Sequence, residues 1–139
     1  MADQDTGVVL AVGLTETLQP AIDGCASVAT GRGAIELLRM LRFDLVVTAD
    51  QLPDMPVWQF VQRMRAAWPW QKWALVTSRL TDRDEIAART LGVMSIIEGA
   101  LDWDAVAHLA GTLRVQAQTT QRQVARTSAK ALRHAESTG

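Results

Sequence analysis

The chain carries one cysteine, no tyrosine and two phenylalanines in 139 residues. A single thiol cannot close an internal disulfide, and Cys25 has neither a second cysteine nor a nearby histidine with which to hold a metal. It reads as a small buried hydrophobe at the start of a strand. No apolar run approaches the ~18 residues that a membrane-spanning helix requires, so no span is expected. The opening Met-Ala-Asp-Gln-Asp is acidic, the reverse of a secretory signal, which sets a cytoplasmic expectation. The two histidines, His108 and His134, belong to no H-E-x-x-H pair and no recognisable Ser-His-Asp arrangement. His108 reads as a structural residue beside a core stripe, and no two carboxylates share a defensible scaffold. The chain is therefore not expected to be an enzyme, nor to carry a metal or cofactor.

What is present is a set of apolar runs in a composition that is 48% hydrophobic and 21% charged, enough to build a core in one domain of this length. Gly7 to Val12 and Leu45 to Val47 are continuous rather than alternating, and Cys25 to Thr30, Lys72 to Thr77 and Val93 to Ile97 read as the other strands. That is the pattern of parallel strands covered by helices on both faces. Only a dozen residues, interrupted by Pro20 and Gly24, separate Val12 from Cys25, so the first helix should be about two turns or irregular. Gly31-Arg32-Gly33 reads as a loop, because it lacks the further Gly and the Lys-Ser/Thr of a phosphate-binding loop. Ala34 to Leu41 follows as a helix with Ile35, Leu38 and Leu41 at helical spacing.

Asp54 is placed to cap a helix that starts near Pro56 and runs through Val57, Phe60, Val61 and Met64 to about Ala67. Thr81-Asp82-Arg83-Asp84 is a capping box, opening a helix through Ile86, Ala87 and Leu91 that stops at Gly92. Asp102 or Asp104 caps a last helix whose Val106, Leu109, Ala110 and Leu113 face the core.

Asp44-Leu45-Val46-Val47, then a short polar end, Leu52-Pro53-Asp54-Met55 and a helix resemble the middle of a response-regulator receiver domain. Ala74-Leu75-Val76-Thr77 and Leu91-Gly92-Val93 follow in the family's order, so the resemblance covers roughly residues 7–113. It implies a flavodoxin-like doubly wound five-stranded parallel sheet, here with a shortened first helix and an extended C-terminal helix. Receiver domains phosphorylate an aspartate four residues before the proline, and this chain has Ala49 there. Asp50, next door, should lie on the other side of the strand and reads as a turn residue. Gly13 and Leu14 stand where the family keeps its acidic metal-binding pair, and Gly99 where it keeps a lysine. Thr77 alone retains its family counterpart. The resemblance thus implies a receiver that has lost its phosphorylation chemistry and its Mg²⁺ ligands.

Five tryptophans need an assignment. Trp73 reads as core, Trp58 is open, and one of Trp68, Trp70 or Trp103 is held as a contact residue. The charge is split: residues 1–113 hold nine Lys/Arg against fourteen Asp/Glu, whereas residues 114–139 hold five against one. The expected organisation is a receiver-like domain over 1–113 and a basic helical extension over 114–139. On a continued helix Ala117, Thr120, Val124, Thr127 and Ala131 form a narrow seam suited to pairing with a second copy, opposite a stripe of Arg122, Arg126, Lys130 and Arg133.

Three function classes follow. The leading one is a phosphorylation-independent protein-interaction module in signalling, with a homodimer through the last helix. The alternatives are a small-ligand sensor using a vacated pocket at the carboxyl ends of the strands, and a nucleic-acid binder using the basic stripe. The last is the least favoured, because no full DNA-binding domain fits after residue 113.

Overall fold

The computed structural model describes residues 8–14, 25–99 and 102–116. Five strands, β1 (Val9–Val12), β2 (Cys25–Val28), β3 (Leu45–Ala49), β4 (Trp73–Thr77) and β5 (Ser95–Glu98), form one sheet in the order β2-β1-β3-β4-β5. Every pairing is parallel. This is the flavodoxin-like order, in which the chain reverses its direction of winding between β1 and β3. The continuous apolar runs are explained by two covered faces. Leu10, Val12, Val46, Trp73 and Leu75 pack with the helices α1 (Gly31–Met40), α2 (Val57–Ala67) and α3 (Asp82–Thr90). Val9, Ala11, Leu45, Val47 and Ala74 pack with α4, helical over residues 103–116, through Trp103, Val106, Ala110 and Leu113.

Three helix starts follow from local chemistry. The Thr81 hydroxyl accepts the Asp84 N–H at 3.1 Å, and Asp82, Asp84 and Glu85 place negative charge on the amino end of α3. Asp102, rather than Asp104, caps α4: its Oδ1 accepts the N–H groups of Asp104 and Ala105 at 3.0 and 3.3 Å. Thr30 caps α1 by accepting the Gly33 N–H at 3.0 Å, so Gly31-Arg32-Gly33 is the first turn of the helix and not a loop. A cap outweighs the poor helix propensity of two glycines here.

The α1 stripe also ends earlier than its spacing predicts. Ala34 and Leu38 are buried, but α1 stops at Met40, and Leu41 in an extended conformation is 53% exposed. Ile86 is exposed on α3, whose buried residue is Ala88. His108 lies on the solvent side of α4 rather than beside the core.

The connection between β1 and β2, where a short first helix is expected, lies outside the described residues, as do the seam and the stripe beyond residue 116. Among the described residues no helix is long and apolar enough to cross a membrane.

Candidate functional site

In a doubly wound sheet the site belongs at the carboxyl ends of the strands, beside the winding reversal. Here that edge is formed by Gly13 after β1, the loop 50–56 after β3, Thr77 at the end of β4 and Gly99 after β5. Gly13 has φ +72°, and its N–H is bound to the Val28 carbonyl at 2.8 Å. A Cβ at this position would lie 2.8 Å from Leu52 Cδ2 and 3.3 Å from Ala49 Cβ. Leu14 is buried in the core with α4. The two positions where an acidic pair would stand are thus one glycine under a leucine and one core leucine.

Leu52 is held there because its loop is fastened to the amino end of α1. Asp54 Oδ1 accepts the Gly31 N–H at 2.9 Å and Oδ2 accepts the Arg32 N–H at 3.0 Å. Asp54 therefore caps α1, more than twenty residues away, and not α2, whose N-cap is Pro56 with no side-chain bond. Together with Thr30 it satisfies the first three N–H groups of α1, which have no partner within the helix. Leu52 and Met55 then close on Gly31, where an added Cβ would meet Met55 Sδ at 3.0 Å and Leu52 Cδ1 at 3.3 Å. Leu52 and Met55 thus lie against Gly13 and Gly31 at this edge. Among the described residues the adjacent depression, ≈ 530 Å³, is lined by residues 50–58.

The Arg32 N–H first, and then the Gly31 N–H, hold the Asp54 carboxyl below its ordinary pKa. A carboxylate with a depressed folded pKa contributes stability at neutral pH that is lost as the pH falls through that depressed value. The Asp54→Ala variant is accordingly expected to melt below the native chain at pH 7, with the gap closing below about pH 4. A gap constant from pH 7 to pH 2.5 would contradict the role of the ionised group.

Asp50 and Thr77 form the second feature of this edge. Both fall on the sheet face that carries α2 and α3, since alternation along β3 sets Asp50 opposite to Ala49, and Trp73, Leu75 and Thr77 share a face of β4. Thr77 Oγ1 donates to Asp50 Oδ2 at 2.8 Å and accepts the Arg79 N–H at 3.3 Å. Asp50 thus ties β3 to β4 and is more than a turn residue. Glu98 Oε2 accepts the Leu80 N–H at 2.8 Å, and the Gly99 N–H is bound to the Thr77 carbonyl at 3.0 Å. Asp50, Thr77 and Glu98 are therefore each committed to a bond that fastens a loop. Gly99 is exposed with φ +95° and open space around it.

Among the described residues no three His, Cys, Asp or Glu side chains gather at a metal-binding distance. Burial pushes the Cys25 thiol above its ordinary pKa, away from a reactive thiolate.

The interaction candidates separate by burial. Trp103 is core at 7% exposure, packed with Val106 and Ala110, and is removed from the set of contact residues. Trp68 and Trp58 are half-buried against the other face. Trp70 is 60% exposed. Arg122, Arg126, Lys130 and Arg133 lie outside the described residues.

No protein-family model matches the sequence, and no curated protein sequence matches it. Solved structures do match. The CheY-like response regulator receiver domain from Methanospirillum hungatei superposes with a TM-score of 0.66 at 16% identity, over 81% of this chain and 98% of that one. The signal receiver domain of an HD domain-containing protein from Pseudomonas fluorescens gives 0.65 at 21% identity, over 86% and 93%. The chemotaxis response regulator CheY4 of Vibrio cholerae gives 0.58 at 20%, over 84% and 97%. At these identities the likeness is one of fold: the chain has the CheY-like architecture.

Proposed function

We propose that this chain is a phosphorylation-independent receiver-fold module that serves signalling or regulation through protein contacts. The observation that carries the reading is the occupation of the Gly13 position by Leu52 and Ala49. Phosphoryl transfer in such a fold needs a carboxylate nucleophile and a hard cation held by oxygen ligands, because positioning and charge stabilisation supply nearly all of the catalysis. An alanine and a leucine side chain offer neither. The carboxylates nearby, Asp50 and Asp54, are engaged by Thr77 and by the amino end of α1. The small-ligand alternative has less support, since among the described residues the depression at this edge is lined by the loop 50–58 and not by Gly13, Thr77 or Gly99.

Thermal melts of the full chain with Mg²⁺ and beryllofluoride, a phosphoryl analogue that completes its coordination on a carboxylate, test the reading. The melting temperature should stay unchanged with both present. A ligand at 100 times its dissociation constant stabilises by about 2.7 kcal/mol, so a clear rise that requires both components would overturn the proposal.

A further inference from the structure

The opposite edge of the sheet, at the amino ends of the strands, carries a groove of ≈ 730 Å³ between the end of α1, the turn before β4 and Leu113 and Gln116 of α4. Its apolar wall is unusually open. Among the described residues six large apolar side chains are markedly exposed, and three of them, Met40 at 77%, Leu41 and Trp70, line this one groove. Trp68 and Leu113 continue the wall inward. Local structure puts these side chains here. α1 ends at Met40 and turns Leu41 out, while Trp68 closes α2 with its N–H on the Met64 carbonyl at 2.7 Å, which leaves Trp70 on the turn that follows.

The lining of the groove carries three cations against one acid. Arg39, Arg42 and Lys72 line it, and none is ion-paired: among the described residues the salt bridge is Arg89 with Glu85, on α3. The one acid of the lining, Asp44, already accepts the Val8 N–H at 2.8 Å. An exposed tryptophan, an adaptable methionine and arginines are the side chains that interfaces favour. We infer that this groove docks an acidic amphipathic segment of a partner protein, with apolar side chains seated against Trp70 and Met40 and carboxylates facing Arg39, Arg42 and Lys72.

Charge complementarity selects that occupant. Residues 117–139 follow directly on α4 and carry four cations against one acid, so they repel the groove, and residues 1–7, with Asp3 and Asp5, offer Met1 alone as a large apolar side chain. A second copy docked by the same surface would set three cations against three.

The inference rests on the interaction-module reading and extends it to a surface and a partner chemistry. Its test uses the full chain and a fluorescent peptide with Leu and Phe at helical i, i+3, i+4 and i+7 positions and Glu elsewhere. A Lys-for-Glu version and a 20-nucleotide single-stranded DNA serve as the other probes. The acidic peptide should bind and the Lys version should not. Trp70→Ala and the double variant Arg39→Glu/Arg42→Glu should each weaken binding at least roughly tenfold, the scale of an anchor residue. Raising the salt should weaken the native complex far more than any residual binding of the charge-reversed variant.

No binding of the acidic peptide, binding indifferent to both variants, or tighter binding of the DNA that the same variants abolish would each overturn the inference. Any of these results with the chain still inert to phosphodonor would discard the surface alone. Phosphorylation of the chain would discard the reading beneath it.

Discussion

Trp73→Ala is expected to lower the unfolding free energy by about 3–5 kcal/mol, the usual range for emptying a large aromatic site. The indole is fully buried in the cluster that holds Phe60, Met64 and Ala88, so its removal leaves a cavity where the sheet meets its helices. Its Nε1 also donates to the Leu91 carbonyl at 3.1 Å, at the end of α3, where Gly92 takes φ +76° to turn the chain into β5. Arg65 Nη1 donates to the same carbonyl. Trp73→Phe should therefore lose much less, because Leu91 keeps an acceptor bond and most of the volume stays filled.

Domains of this kind are stable by about 5–15 kcal/mol, so the alanine variant would sit near the limit of folding. Urea unfolding followed by circular dichroism measures both variants. A loss below about 1 kcal/mol for Trp73→Ala would contradict the packing described.

Gly13→Asp, the first step in rebuilding a metal site, should destabilise the chain by about 2–5 kcal/mol. Two effects add: holding a residue with a Cβ at a left-handed φ costs roughly 1–2 kcal/mol, and overpacking costs about 1–3 kcal/mol. The overpacking is specific to this position, where the new Cβ would stand 2.8 Å from Leu52 Cδ2. Gly99→Ala provides the comparison, since Gly99 has a left-handed φ but, among the described residues, nothing within 4 Å of the added carbon. Its loss should be the backbone share only. Equal losses at the two sites in denaturant titrations would show that Leu52 does not press on Gly13.

The sheet was legible because burial on both faces leaves runs such as Leu45-Val46-Val47 that need no knowledge of their neighbours. The α3 start and stop were equally local: Thr81 binds a backbone group three residues on, and Gly92 supplies the turn. The α1 start was misjudged because the feature that makes two glycines helical lies partly elsewhere. Asp54 is a good cap by composition, but the N–H groups it reaches belong to another helix and meet it only through the fold. The same holds for Asp50, whose partner Thr77 lies on the neighbouring strand.

Gly13, Leu14 and Ala49 could be named from their positions in the chain as offering no carboxylate where the resemblance implies one. That Leu52 lies against Gly13 could not, because the placement of its loop involves the long-range bonds of Asp54. Trp103 gave no sequence signal to separate it from Trp70, since each sits near an element boundary and only packing against α4's neighbours decides. The basic groove was invisible for a related reason: it exists where the ends of α1 and α2 meet the described residues 113–116 of α4 at one edge.

Intact-mass spectrometry after incubation with acetyl phosphate and Mg²⁺ tests the central claim most directly. The native chain should keep its unmodified mass. So should Ala49→Asp, because Gly13 and Leu14 would still supply no carboxylate for the metal and Gly99 no ammonium for the phosphoryl group. An acid-labile gain of one phosphoryl group on the native chain, mapped to Asp50 or any other aspartate of this edge, would contradict the account.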